Sequence, residues 1–175
     1  MKKPILAKLF ENYVLTSASN ESKLLHTTSQ FGELFEGDML KLNSIEALYL
    51  LQSKKIILMN GKKEVSFEDA LKKAKRYDKD ILLRFTVYKD LRDKGYIVKT
   101  ALKFGADFRV YDKGVSVGAD HAKWIVFPVY EDARFSWRDF SAKNRVAHST
   151  KKRLLLGIVD SDGDVTYYEV KWEKP

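Results

Sequence analysis

The stretch LLLGIVDSDGDVTYYEVKW, Leu154–Trp172, decides how the chain folds. Two apolar runs, Leu154–Val159 and Val165–Trp172, flank Asp162-Gly163, a dipeptide suited to the positive φ of a tight hairpin turn. The same period-two alternation recurs upstream in Tyr96–Thr100, Asp107–Tyr111 and Trp124–Val129, so the chain after Gly95 predicts a sheet. Helical segments fit at Thr100–Phe104 and around Ser136–Arg145. The turn itself, Asp160-Ser161-Asp162-Gly163-Asp164, invites a calcium-loop interpretation. That fails, because the glycine falls too early for an EF-hand loop and no bidentate Glu follows at the required distance. What remains is an acidic hairpin tip.

Upstream of Gly95 the pattern mixes strand and helix. Ile5–Leu15 and Ile56–Met59 predict strands, the second closed by the turn dipeptide Asn60-Gly61. Ser44–Gln52 places apolar residues at helical spacing behind a serine cap. Ser66-Phe67-Glu68-Asp69 opens a second helix with an N-cap and first-turn acids. Asp78–Arg92 predicts a third, capped by Asp78 and stopped by Gly95. The expected fold is therefore α/β (α+β), with a small helix-rich N-terminal α/β domain over 1–80. A C-terminal domain of mixed sheet flanked by helices follows over 81–175. No Pro/Gly/Ser linker, internal repeat or low-complexity segment separates them.

Composition narrows the function classes. At 175 residues, 45% hydrophobic and 13% aromatic, the chain can bury a real core despite 32% charged residues. The absence of cysteine removes disulfides, thiolate nucleophiles and thiolate metal sites. The three histidines, His26, His121 and His148, lack metal-ligand spacing, so no metal site is expected. No apolar run reaches membrane-spanning length and no signal-peptide core opens the chain, which points to a cytoplasmic protein without membrane association.

The formal charge of +8 suits a polyanionic partner. Between Arg134 and Arg153 seven basic residues face one acid, Asp139, an excess of +6 in one short stretch. Near it stand three groups of complementary chemistry. Tyr111 ends a strand, His121 follows a Gly-containing loop, and Lys152 precedes a strand. Phosphodiester cleavage without metal needs a proton acceptor, a proton donor and a cation over the developing phosphorane charge, roles open to Tyr, His and Lys. Spacing alone does not single out this triple in a chain with nine tyrosines.

Several blocks in order carry more. Tyr88-Lys-Asp-Leu-Arg through Gly95-Tyr-Ile-Val-Lys-Thr, Lys103-Phe-Gly-Ala-Asp-Phe-Arg-Val-Tyr111 and Arg145-Val-Ala-His-Ser-Thr-Lys-Lys152 resemble the tRNA-intron splicing endonucleases of archaea. Ser44-Ile-Glu-Ala-Leu-Tyr-Leu extends the resemblance into the N-terminal half. It implies a restriction-nuclease-like C-terminal domain and a cofactor-free, metal-independent cut of precursor tRNA at a bulge-helix-bulge, leaving 2′,3′-cyclic phosphate and 5′-hydroxyl ends. By the same resemblance Tyr111 is the general base, His121 the general acid and Lys152 the charge stabiliser. An ordinary tyrosine is about one part in a thousand ionised at pH 7, so a base of this type needs a nearby cation or the bound phosphate backbone. His148 and Lys151 receive no catalytic role.

Arg145 matches a family arginine that stacks on a bulge base, and Lys171 and Trp172, with Tyr168, are further candidates for RNA contact. The terminal strand Val165–Trp172 would leave an open edge, and the resemblance implies dimers paired through it. Two such dimers would join through the acidic tip, Asp160, Asp162 and Asp164, into a homotetramer. Two alternatives stand beside this expectation. One is a metal-dependent nuclease using Glu169 and Lys171 with Asp160 or Asp164. The other is a non-catalytic or partner-dependent subunit of the same endonuclease.

Overall fold

The computed structural model describes residues 3–102, 105–115, 117–118 and 121–173. They form two compact units, Met1–Phe85 and Thr86–Pro175, which divide inside a helix that begins just after the expected boundary at 80. Both units mix sheet and helix, as expected for an α/β (α+β) chain.

In the first unit the order is β1 (Ile5–Leu9), β2 (Tyr13–Thr16), α1 (Asn20–Thr27), β3 (Glu33–Phe35), β4 (Met39–Asn43), α2 (Ser44–Gln52), β5 (Ile56–Asn60), β6 (Lys63–Glu64) and α3 (Phe67–Ala74). The strands build a six-stranded sheet in the order β3-β4-β2-β1-β5-β6. Ile5–Leu15 is thus two strands where the sequence predicts one. Phe10 N–H donates to the Tyr13 carbonyl at 2.9 Å, the chain reverses, and β2 returns antiparallel to β1. Helix α2 begins at Ser44, but its cap is Asn43 and not the serine. Asn43 Oδ1 accepts the Glu46 N–H at 2.9 Å while Glu46 Oε2 accepts the Asn43 N–H at 3.2 Å. Glu46 is buried, and its other oxygen accepts the Gly32 N–H at 3.0 Å, so the carboxylate holds together three segments of the unit.

Helix α4 (Ile81–Asp93) leads into the second unit, followed by β7 (Ile97–Thr100), β8 (Phe108–Tyr111), β9 (Trp124–Tyr130), α5 (Trp137–Ser149), β10 (Arg153–Val159) and β11 (Val165–Val170). Their sheet runs β11-β10-β9-β8-β7, antiparallel except for the β9–β10 pair, which is parallel because α5 crosses between them. Of the helix expected over Thr100–Phe104, Thr100 closes β7 and Lys103 and Phe104 lie outside the described residues.

Alternation assigns the two faces of this sheet. Ile125, Phe127, Leu154 and Leu156 pack with Ala147, Phe140 and Val146 of α5. On the other face Tyr88 of α4 meets Phe108, with ring centroids 5.7 Å apart. Helix and sheet approach closely there. A Cβ on Gly157 would stand 3.0 Å from a methyl of Val87, so a larger residue there would push that side chain aside by a few tenths of an ångström. Tyr167 fixes the edge strand to α4, its hydroxyl donating to Asp90 Oδ2 at 2.7 Å. Burial, then the Asp90 hydrogen bond and charge, push its phenol well above the usual tyrosine range.

Candidate active site

Strand pairing brings the sequence candidates to one end of the second sheet. The C-terminal end of β8 and the N-terminal ends of β9 and β10 lie side by side there. Arg109 pairs with Ile125 and Ile125 with Leu154, so these three share a face. By alternation Tyr111 shares that face, and Lys152 immediately precedes β10. Beyond the strand ends, Lys123 N–H donates to the Val110 carbonyl at 2.8 Å and Arg153 N–H to the Lys123 carbonyl at 3.0 Å. The Lys123 bond to Val110 steps the β8–β9 pairing by one residue beyond Val110 and Trp124, so Tyr111 stands against Ala122, and Tyr111 and Lys152 lie at the same end of the sheet, two strand spacings, about 10 Å, apart.

Tyr111 is 4% exposed and packs on Ile97 and Ala122, with Val115 and Val117 against the same cluster. Ala122 thereby fixes the start of β9, and His121, the residue before it, stands exposed at this end of the sheet. Lys123 turns to Asp112, its ammonium 3.3 Å from that carboxylate and 4.4 Å from the Trp124 ring centre.

Lys152 owes its position to the end of α5. Lys151 N–H donates to the His148 carbonyl at 3.0 Å and Lys152 N–H to the Ala147 carbonyl at 2.8 Å, the paired bonds of a Schellman cap. Lys151 takes the left-handed position at φ 54°, which glycine usually fills. The side chain of Lys152 then folds back so that Nζ donates to the Thr150 carbonyl at 2.8 Å. Among the described residues one of its three ammonium donors is used, and two are spare.

Arg109, which sequence reasoning passed over, and His148, to which it gave no catalytic role, stand near this end. Arg109 lies two positions before Tyr111 on the same strand face, with its guanidinium carbon 6.0 Å from the Tyr111 ring centre. Its buried Nε has no hydrogen-bond partner among the described residues. Period-two alternation is the signal that pairs them. His148 touches Trp172 edge-on at 4.6 Å, drawing the segment after β11 against α5. Arg145, three residues before His148, is exposed on α5, and Lys171 and Trp172 are exposed beyond β11, near the start of β10.

The carboxylates of the metal-nuclease alternative are not brought together. Glu169 accepts a 2.7 Å hydrogen bond from Trp124 Nε1 and one of 3.1 Å from Arg153. The Trp124 bond, with the charges of Arg153 and Lys171, holds its carboxyl below the usual range against the opposing effect of burial. Asp160 and Asp164 sit at the far end of the hairpin, and Glu169 is five residue steps, about 17 Å, along the strand from Asp164. No helix among the described residues is long and apolar enough to cross a membrane.

A two-unit chain with a polar site at one end of its second sheet matches two family models. The N-terminal domain of the tRNA intron endonucleases matches residues 5–71, and their catalytic C-terminal domain matches residues 81–167. The chain belongs to the tRNA intron endonuclease family and carries its catalytic domain. It is similar to the tRNA-splicing endonuclease of Pyrococcus horikoshii, 44% identical over 174 residues and 99% of each chain. The Thermococcus onnurineus tRNA-splicing endonuclease is 41% identical over the same share of both chains. That of Nanoarchaeum equitans is 47% identical over 151 residues, 83% of this chain and 97% of the relative.

Proposed function

We propose that this chain cuts precursor tRNA at bulge-helix-bulge intron boundaries without a metal ion or other cofactor. The ribose 2′-hydroxyl gives its proton to Tyr111 as the O2′–P bond forms. His121 protonates the departing 5′-oxygen as the P–O5′ bond breaks, leaving a 2′,3′-cyclic phosphate and a 5′-hydroxyl. Lys152 sets its free donors against the non-bridging oxygens, where charge rises in the transition state. The observation that carries this proposal is that Tyr111 and Lys152 stand at one end of the second sheet, at the ends of β8 and β10, with His121 exposed just before β9.

Arg145, Lys171 and Trp172, exposed near Lys152, hold the unpaired bases of the bulge by stacking and by phosphate contact. Active assemblies form in the cytoplasm as homotetramers, paired through the open edge of β11 and joined by the acidic tip. The edge position of β11 and the exposure of Asp162 and Asp164 support that arrangement. Purified protein, incubated with a bulge-helix-bulge RNA in excess EDTA and compared with His121→Ala, tests the chemistry. Cyclic-phosphate and 5′-hydroxyl ends that disappear in the variant are expected. Cleavage that returns only with magnesium would overturn the metal-free mechanism, and none under either condition would assign the activity to a complex with a different subunit.

A further inference from the structure

Two of the basic residues between Arg134 and Arg153, Arg138 and Arg145, lie on one exposed stripe that outruns the site. On α5, Arg138, Ser141, Ala142, Arg145 and His148 recur at helical spacing and are all exposed, while Phe140, Val146 and Ala147 turn to the core. Arg138 and Arg145, two turns apart on that stripe, are separated by about 10 Å. Trp137 opens the helix at 84% exposure, its indole meeting only the edge of Phe140 at 6.0 Å. Arg134 and Phe135 are exposed just before it.

These cations are uncommitted. No ion pair engages Arg134, Arg138 or Arg145 among the described residues. The one acid of the stretch, Asp139, is drawn onto the helix cap, with its carboxylate 2.5 Å from the Ser136 hydroxyl. Lys143 does not join the stripe, because its ammonium lies 4.2 Å from the Phe127 ring centre and 5.5 Å from that of Phe135. The stripe is continuous at its other end with Arg145, the His148–Trp172 contact and Lys152.

We propose that Arg134, Trp137 and Arg138 form a second RNA contact, which grips the sugar-phosphate backbone of the arm leading away from the cut. Unpaired arginines beside an exposed indole suit phosphate and a ribose or base face together. Continuity with Arg145 selects RNA over an acidic protein segment as the occupant. This inference rests on the proposed substrate, and it separates residues that hold the bulge from residues that measure the length of RNA beyond it.

Binding by the full-length protein to two RNAs tests it: a bulge-helix-bulge with long flanking arms, and the same core with the arms trimmed. The double variant Trp137→Ala, Arg138→Ala is expected to bind the long RNA about tenfold more weakly, with the slope of log K against log salt flatter by about 1. Arg138→Lys with Trp137 retained should recover most of that loss. The trimmed RNA should bind the variant as it binds the parent. Equal weakening on both RNAs, or none on either, would overturn the proposal. So would a fall in the sedimenting mass of the variant, which would assign the patch to a second copy of the chain. Because the readout is binding, a parent protein that binds RNA yet fails to cleave it in EDTA counts against the proposed chemistry alone.

Discussion

The two ends of the β10–β11 hairpin carry opposite charge and use their polar groups in opposite ways. At the tip, Asp160 Oδ1 accepts the N–H groups of Asp162 at 3.0 Å and Asp164 at 2.9 Å, and Glu131 accepts that of Ser161 at 2.9 Å. Gly163, at φ +86°, closes the turn with an N–H to the Asp160 carbonyl at 3.2 Å. Asp160 is thus spent on shaping the turn, and Asp162 and Asp164 are what the tip presents outward. At the open end, Lys152 keeps two donors, and no ion pair among the described residues holds Arg145 or Lys171. Polar groups satisfied within the chain build the fold, and those left with spare capacity await a ligand.

Substitutions should separate the ends cleanly, and the largest effect belongs to the open end. Tyr111→Phe removes a hydroxyl but keeps the ring that packs on Ile97 and Ala122, and Lys152→Ala removes the ammonium but leaves the Schellman cap, which is made by backbone. Each is expected to lower single-turnover cleavage by about 10²–10⁴-fold with little change in the unfolding midpoint. A loss of stability that tracked the loss of activity would break the comparison by making the open end structural.

At the tip the expectation reverses. Asp160→Ala strips two backbone N–H groups of their acceptor and should cost about 1–2 kcal/mol, read as a lower urea midpoint at unchanged slope. Replacing Asp162 and Asp164 together by Asn leaves those bonds in place. It should spare the urea midpoint and lower the assembled mass in sedimentation. Stability that fell equally in both variants would mean that the outward acids also hold the turn.

What the sequence disclosed follows the same division between local and non-local physics. The five strands of the second sheet are legible because each is a run of four to seven residues rich in apolar and β-branched side chains between turn signals, continuously buried in β9 and β10 and alternating in β11. In the first unit β3 is only three residues long and exposed throughout, so it carries no alternation. The break after Leu9 is hidden because Phe10 and Tyr13, whose rings stack at 4.7 Å, make the turn look apolar. At the site, Tyr111, His121 and Lys152 were accessible through a resemblance in ordered blocks. The placing of Tyr111 and Lys152 at one sheet end was not, because pairing across three strands is set between distant segments. Arg109 was missed for the opposite reason: its alternation with Tyr111 is plain, but nothing in the sequence marks its Nε as buried and unpartnered.

The smallest predicted effect sharpens the contrast within the open end itself, between neighbouring lysines. Lys151 is exposed, and its backbone sits at φ 54°, a conformation that burdens a side chain with a Cβ. Its role is to end α5 so that the next residue enters β10 at the site. Lys151→Gly removes the steric cost while adding some freedom to the unfolded chain, so a net gain of about 0.5–1 kcal/mol is expected in thermal or urea unfolding. Cleavage should persist, since the cap bonds come from backbone N–H groups that glycine also has. A stabilised but inactive variant would show instead that the strain at Lys151 is part of how Lys152 is aimed, and that the open end, unlike the tip, couples its backbone geometry to chemistry.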